Sequence, residues 1–205
     1  MKARKNPLRT ECVHQVRYRF LDGTWDGLMA RLLELNYRAA VVGPDGSGKT
    51  TLLEELAPRL ERLGFRVHRF FLNDEQRRIP EAWFEPAPPA RRAGLQATSP
   101  NAHLDENDII LLDGADLMSR LAWLRFRRRA RQAAGLVITS HRPGMLPTLI
   151  DCSTTPELLD GIIVDLLGTD YDGRRERLPF LLFKKHKGNV RNALRELYDI
   201  HAGIA

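Results

Sequence analysis

Short apolar runs alternate with helix-like patterns along this chain. Three of the runs are continuous and bounded by polar residues, which is typical of strands buried on both faces of a parallel sheet. They are Arg38–Val42, Asp108–Asp113 and Gly135–Ser140. The alternation or apolar content of three further segments predicts strands at Val16–Phe20, Arg66–Leu72 and Leu146–Cys152. The pattern therefore predicts a largely buried sheet.

Apolar residues at helical spacing fill most of the segments between these runs. The predicted helices are one capped by Thr24 and running to about Leu35, then Thr50–Leu63, Leu117–Gln132, Pro156–Leu167, Pro179–Lys185 and Val190–Ala202. Residues predicted to face inward on them include Leu28, Leu32, Leu33, Leu63, Leu117, Leu121 and Leu124. Strands that alternate with helices indicate a three-layer α/β fold with a parallel sheet.

Three regions are expected along the chain. Residues 1–23 form an N-terminal arm with a short strand, residues 24–167 the core, and residues 168–205 a small C-terminal helical lid. The segment Gly168–Arg177 is predicted to be the hinge of this lid. Prolines in residues 74–107 predict a helix fragment and then a mobile loop there, because proline breaks regular structure.

A glycine-rich segment joins a predicted strand to a predicted helix. It reads Gly43-Pro44-Asp45-Gly46-Ser47-Gly48-Lys49-Thr50 and fits the pattern G-x-x-x-x-G-K-[ST] without a mismatch. Glycines let backbone N–H groups surround phosphate oxygens, and a helix N-terminus adds partial positive charge. We expect residues 43–51, Thr51 included, to bind a nucleoside triphosphate. Lys49 would reach the β- and γ-phosphates, and the Thr50 hydroxyl would bind Mg²⁺.

Acidic residues lie at the end of the strand Asp108–Asp113 and just after it. Asp113 is the predicted second Mg²⁺ ligand, because triphosphate sites need an acidic anchor at the end of a neighbouring strand. Hydrolysing members of this class usually have a glutamate next, and here the residue is Gly114. Asp116 is the candidate catalytic base, or else an acid that favours a helix N-terminus through the dipole.

Polar residues also end the strand Gly135–Ser140. Ligands of such sheets bind at the carboxyl ends of the strands, so Thr139, Ser140 and His141 are expected to face the nucleotide. His141 is the candidate hydrogen-bond donor to the γ-phosphate, and Arg142 is a candidate for charge neutralisation in this subunit or a neighbour. The alternative is that the segment only turns the chain.

The net charge of +6 is concentrated in one place. The window Arg120–Arg131 holds six arginines and no acidic residue, and without it the formal net charge is zero. Such a patch is a candidate nucleic-acid interface, with Trp123 and Phe126 available for base stacking or for the core. A solvated helix face, or a contact with a protein partner or a second subunit, is the alternative.

Two further properties of the sequence bear on the expected cellular location. No apolar run is long enough to span a membrane, and the basic N-terminus is not followed by a signal-like apolar segment. Cys12 and Cys152 have no metal-type spacing and are expected to be free thiols in a cytoplasmic protein.

These motifs together resemble the P-loop NTPases of the AAA+ type, and most closely the small bacterial modules related to transposition-helper and STAND-like ATPases. The resemblance covers about residues 24–202 and rests on the P-loop, "ILLDGAD", "LVITSH" and "GNVRNALREL". It implies an arginine on the helical lid near the γ-phosphate, and Arg191 in Gly188-Asn189-Val190-Arg191 matches that motif. The chain departs from the family in lacking both the acid after Asp113 and the helix that usually carries an arginine finger.

Three functions are compatible with this sequence. The first is a Mg²⁺-dependent ATPase or ATP-gated switch. The second is a nucleotide or small-molecule kinase, because "GPDGSGKTT" resembles the P-loop of thymidylate-kinase-like enzymes and "DGRRER" resembles their arginine-rich lid. The third is a nucleotide-binding scaffold without turnover, which Gly114 favours. ATP is expected rather than GTP because the sequence has no guanine-reading Asn-Lys-x-Asp stretch.

Overall fold

The computed structural model describes residues 16–77, 79, 104–167 and 177–202. Within these residues one sheet contains five strands: β1 (Arg38–Val42), β2 (Arg66–Phe71), β3 (Asp108–Asp113), β4 (Gly135–Ser140) and β5 (Thr148–Asp151). Their order is β2-β3-β4-β1-β5, and every neighbouring pair is parallel. The predicted α/β class with a parallel sheet is confirmed.

The described residues also form six α-helices. They are α1 (Trp25–Glu34), α2 (Lys49–Arg62), α3 (Arg120–Arg129), α4 (Pro156–Leu167), α5 (Arg177–Lys185) and α6 (Val190–Ala202). Short 3-10 turns at Ala115–Leu117 and Ala130–Gln132 precede and follow α3. None of the helices in the described residues is both long and apolar enough to cross a membrane.

The described chain forms two compact units. The sheet unit comprises residues 24–42 and 52–151 and contains all five strands. The loop–helix unit comprises residues 16–23, 43–51 and 152–202 and contains α4, α5 and α6. The domain boundaries expected from the sequence stay a prediction.

The core of the sheet unit lies on the strands. β3 and β4 are almost wholly buried, as expected for continuous apolar strands of a parallel sheet. Phe126 of α3 is fully buried in a cluster that includes Ile110, Leu112 and Ile138. Trp123 packs against this cluster and stacks on Phe126, so both aromatic residues belong to the core rather than to a base-stacking surface.

The core of the loop–helix unit is made by its three helices. Leu159 and Ile163 of α4 pack with Leu182 of α5 and Leu194 of α6. α4 starts where the sequence predicted, because the Thr155 hydroxyl accepts a hydrogen bond from the Leu158 N–H at 3.2 Å and satisfies one of the helix's open donors. The three helices therefore share one apolar core.

Two predicted elements differ in the structure. The predicted helix Leu117–Gln132 is interrupted, because Met118 is extended and Ser119 caps a new helix at Arg120. The predicted strand Val16–Phe20 is wrong, since this segment makes no strand. Its side chains contact residues of the loop–helix unit instead, as described below.

Four of the predicted inward-facing leucines are exposed. Leu33, Leu63, Leu121 and Leu124 have more than half of their surface accessible. On α3 the cause is the position of the first turn. Because Ser119 caps the helix, α3 begins at Arg120 rather than at Leu117. With this start, Phe126 and Ala130, one turn apart, face the core, and Leu121 and Leu124 face outward.

Cys152 is a buried thiol outside any disulfide bond, as expected. Some predictions fall outside the described residues. They are Cys12, most of the proline-containing loop within residues 74–107, and residues 168–176 of the predicted hinge.

Candidate functional site

The glycine loop of the loop–helix unit has a backbone that only glycine fits well. Gly46 and Gly48 have φ angles of 71° and 87°, a conformation that side chains disfavour. A Cβ atom at Gly43 would lie 2.6 Å from the carbonyl oxygen of Cys152. Both the backbone conformation and the close approach therefore require glycine in this loop.

Polar groups concentrate at the end of this loop, where α2 begins at Lys49. The Lys49 ammonium donates hydrogen bonds to the carbonyl oxygens of Gly43 and Pro44, both at 2.7 Å. Ser47 is 6% exposed, and its Oγ has no hydrogen-bond partner within the described residues. A buried hydroxyl without a partner is costly, which makes Ser47 a candidate ligand-binding group.

The segment that carries Arg191 lies against the same loop. A Cβ at Gly46 would collide with the side-chain carboxamide of Asn189 and would lie 3.1 Å from the backbone nitrogen of Arg191. Asn189 also caps α6, because its Oδ1 accepts from the Asn192 N–H at 3.0 Å. The structure thus brings the GNVR segment to the glycine loop.

A cavity of about 140 Å³ opens beside this loop. Its apolar lining includes Leu158, Ile162 and Leu194. Its polar and loop residues are Arg17, Tyr18, Arg19, Gly46, Ser47, Gly48, Thr51, Ser153, Thr154 and Arg191. The sequence-based predictions included the glycine loop, Thr51 and Arg191 but missed Tyr18 and its neighbours.

Tyr18 is held in place by contacts on both of its sides. Its hydroxyl is 3.3 Å from the Cys152 sulfur, and its ring would be 3.4 Å from a Cβ at Gly48. Burial raises the pKa of the Tyr18 phenol, so this hydroxyl stays neutral in ordinary buffers. The adjacent Arg19 forms an ion pair with Asp165 of α4. No motif marked this segment, because its contacts with Gly48, Cys152 and Asp165 are all distant in sequence.

In the sheet unit, Asp113 and Thr139 lie at the carboxyl ends of neighbouring strands. The Thr139 hydroxyl donates to Asp113 Oδ1 at 2.5 Å and accepts from the Gly114 N–H at 2.8 Å. These bonds fix the orientation of the Asp113 carboxylate. One oxygen held in this way fits the common mode of Mg²⁺ binding, in which one or two carboxylates and several waters surround the ion.

Gly114 leaves no room for a side chain at the position that follows Asp113. Its φ is 81°, and a Cβ there would lie 2.7 Å from the carbonyl oxygen of Leu72. A side chain at this position would be strained by its backbone and would also collide with the main chain after β2. The absence of an acid at position 114 therefore has a local structural cause.

The structure brings together Asp116 and His141. The Asp116 Oδ2 atom is 2.5 Å from Nδ1 of His141 and accepts from the His141 backbone N–H at 3.3 Å. Asp116 belongs to the 3-10 turn Ala115–Leu117 and not to the first turn of α3, so the interpretation as a helix-dipole residue of α3 loses its basis. Ser140 has a different role, because its hydroxyl bonds to the backbone of Arg142.

Two sets of predicted residues are thus assembled, one in each unit. The loop–helix unit gathers the glycine loop, Lys49 and Arg191, and the sheet unit gathers Asp113, Thr139, Asp116 and His141. Mg²⁺ binding by Thr50 together with Asp113 stays a prediction. In the part of the chain that the structure describes, no three His, Cys, Asp or Glu side chains form a metal-binding group. The sequence matches no protein-family model, and no curated protein matches it either.

Proposed function

We propose that this protein binds ATP with Mg²⁺ through residues 43–51 and works as an ATPase or ATP-gated switch of the P-loop type. The observation that carries the proposal is the glycine loop. It follows a buried parallel strand and leads into α2 at Lys49. Its Gly46 and Gly48 adopt positive φ angles, and the buried Ser47 hydroxyl lacks a partner among the described residues.

The chemistry of this loop suits a triphosphate. Glycines with positive φ turn successive N–H groups to one side, where they attract phosphate oxygens. The first turn of α2 contains no acidic residue that would repel an anion. The Lys49 ammonium already lies against the loop carbonyls and would exchange these contacts for charge-assisted bonds to phosphate.

The cavity beside the loop suits the rest of the nucleotide. Leu158, Ile162 and Leu194 provide apolar surface, while the neutral Tyr18 provides a ring and a hydroxyl. Pockets of this composition, mostly apolar with a few polar groups, are typical of small-ligand sites. We infer that the nucleoside occupies this cavity when the phosphates lie on the loop, and that Arg191 faces the bound nucleotide.

The order of the strands supports the same assignment. From β1 the chain passes to β2 at one edge of the sheet, returns through β3 and β4, and continues to β5 on the other side of β1. The order therefore reverses beside β1. Ligands of open α/β sheets bind outside the carboxyl ends of strands at such a reversal, and Val42 at the end of β1 directly precedes the glycine loop.

A scaffold that binds ATP without turnover is the second candidate. The geometry of Gly114 favours it, since this position excludes the usual base. Under the first proposal the Asp116–His141 pair provides the polar groups for turnover. Under the second, the same pair reads the γ-phosphate without activating water.

Calorimetry with Mg·ATP on the full chain tests the proposal. We expect saturable heat for the natural protein and a loss of affinity of about tenfold or more for Lys49→Ala, because a charge-assisted contact is removed. The matched control is Lys184→Ala, which removes an exposed lysine of α5. Absence of heat with the natural protein contradicts the proposal.

Phosphate release then separates the candidates. Turnover that Lys49→Ala abolishes supports the ATPase, and binding without turnover supports the scaffold. Transfer of phosphate to a nucleoside monophosphate would identify a kinase instead.

A further inference from the structure

The outward face of α3 combines exposed leucines with arginines. Leu121 and Leu124 are 70% and 57% exposed, and Arg120, Arg125 and Arg128 are exposed around them. Positions 121, 124 and 128 are spaced i, i+3 and i+7 and therefore share one face of the helix. The opposite face holds the buried Phe126 and Ala130. The leucines thus lie in the middle of an accessible surface.

We propose that this face, Arg120–Arg128, is the docking surface for an acidic amphipathic helix of a partner protein. Leu121 and Leu124 have the spacing of a and d positions in a helix–helix seam, and Arg120 and Arg125 then occupy the flanking g and e positions. A partner helix that places leucines on the seam and glutamates beside it would bury the apolar side chains and bring carboxylates close to this positively charged face.

Charge complementarity selects this occupant. The window Arg120–Arg131 has six arginines and no acidic residue, so this face presents positive charge that suits an acidic partner. A second copy of this chain fits poorly, because arginines would then face arginines on both sides of the seam. Nucleic acid would satisfy the arginines through phosphates. It would give Leu121 and Leu124, at the centre of the face, nothing apolar to pack against.

Fluorescence anisotropy on the full-length protein tests the proposal. The probe is a labelled helical peptide of about three heptads with Leu at a and d and Glu at e and g. Two comparison probes are the same peptide with Lys at e and g, and a labelled DNA duplex of about 20 base pairs. We expect the Glu peptide to bind about tenfold or more tightly than either comparison probe.

Two variants define the surface. Leu121→Ala with Leu124→Ala is expected to weaken binding of the Glu peptide by about tenfold, because the apolar seam is lost. The matched control, Leu33→Ala with Leu63→Ala, removes two leucines of similar exposure elsewhere in the sheet unit and leaves binding unchanged. Arg120→Glu with Arg125→Glu is expected to reverse the preference toward the Lys peptide, a gain that misfolding does not produce.

Three results would overturn the proposal. The first is equal binding of the Glu and Lys peptides. The second is that the DNA duplex binds more tightly than the Glu peptide and that the leucine substitutions do not change DNA binding. This result would identify a nucleic-acid interface. The third is a dimer, observed by analytical ultracentrifugation, that the leucine substitutions dissociate. That dimer would make a second copy the occupant.

Discussion

The carboxylate of Asp116 contacts His141 twice, through Nδ1 of the ring at 2.5 Å and through the backbone N–H at 3.3 Å. A carboxylate only accepts hydrogen bonds, so Nδ1 of His141 carries a proton. Asp116 therefore orients the imidazole in the way that a carboxylate orients the histidine of many catalytic pairs. This geometry favours a role for Asp116 that works through His141.

The first prediction is that Asp116 and His141 act as a unit. Under the proposed ATPase function, each of Asp116→Asn and His141→Ala is expected to lower ATP turnover by about 10- to 100-fold, which is also the cost of losing the partner that orients a metal-bound histidine. The double variant is expected to be no slower than His141→Ala, because the carboxylate has nothing left to orient. Steady-state phosphate release measures turnover.

An independent readout comes from the imidazole itself. The ¹⁵N chemical shifts of His141 are expected to move in Asp116→Asn and to stay in place in Asp74→Asn, which alters an exposed acid paired with Arg77. If the costs of the two single substitutions add in the double variant, Asp116 works separately from His141. That result would support its assignment as the catalytic base.

The second prediction concerns Gly114. Gly114→Ala is expected to lower the free energy of unfolding by about 1–3 kcal/mol, since the new side chain meets both a positive φ and the Leu72 carbonyl. Urea denaturation measures the change. Gly114→Glu, which would place an acid at this position, is expected to be at least as unstable.

The matched control for this substitution is Gly64→Ala. Gly64 also has a positive φ, of 94°, but a Cβ there has no atom within 4 Å. The substitution Gly64→Ala therefore introduces the backbone strain without the collision. It is expected to lower the free energy of unfolding by less than Gly114→Ala does. Equal costs at the two positions would show that collision with Leu72 does not exclude a side chain from position 114.

The extent to which the sequence predicted the fold depended on the kind of signal. The boundaries of β3 and α4 were predicted as the structure has them, because Asp113 ends a continuous apolar run and Thr155 caps a helix. Inward-facing sides were predicted less well. The side on which Leu121 falls depends on where its helix begins, and the periodicity of the pattern gives no warning of a break at Met118.

The same distinction applies to the candidate site. Residues of the glycine loop were found because their chemistry requires a fixed local spacing. Tyr18 was missed because it reaches the loop through tertiary contacts with Gly48 and Cys152. The pairing of Asp116 with His141 was missed for a similar reason, since 25 positions separate the two residues. Nothing in their local sequence indicates that they meet.

The third prediction concerns Asn189, which caps α6 and touches the glycine loop at Gly46. Asn189→Ala is expected to cost about 1 kcal/mol of stability, as the loss of a helix cap usually does. It is also expected to weaken binding of Mg·ATP, because the carboxamide that packs on Gly46 is gone. Urea denaturation and calorimetry measure the two effects.

Thr24→Ala is the matched control for Asn189→Ala. Thr24 caps α1 in the sheet unit by accepting from the Gly27 N–H at 3.1 Å. Its loss is expected to have a similar cost in stability and no effect on ATP affinity. If both cap variants bind ATP as the natural protein does, Asn189 supports only its helix.

The fourth prediction concerns a charge cluster at the amino ends of β2 and β3. Asp108 is only 1% exposed and accepts hydrogen bonds from Arg66 at 2.8 and 2.9 Å and from the backbone N–H of Asp105 at 2.6 Å. The His68 ring nitrogen Nε2 lies 2.8 Å from the same carboxylate. Burial alone would raise the pKa of the Asp108 carboxyl, but the bonds from Arg66 and His68 outweigh it and hold this pKa below its ordinary value.

The lowered pKa fixes the sign of the pH dependence. The unfolded chain binds a proton at Asp108 near pH 4, before the folded chain does, so the stabilisation is complete above that pH and is lost as the pH falls below it. Asp108→Asn is expected to cost about 1–2 kcal/mol at pH 7, because charge-assisted hydrogen bonds from Arg66 and His68 are lost while the half-exposed Arg66 keeps Asp105 as a partner. This cost is expected to shrink as the pH falls below about 4, since the natural protein then loses the same interaction.

Urea denaturation of Asp108→Asn and of the natural protein across this pH range measures the difference in their free energies of unfolding. Asp74→Asn is the control, because Asp74 is an exposed acid whose partner, Arg77, is also exposed. It is expected to follow the natural protein at every pH. This difference in free energy of unfolding could instead stay constant from pH 7 to about pH 3. That result would mean that ionisation of Asp108 contributes nothing to folding. The packing of its side chain, rather than its charge, would then explain the cost.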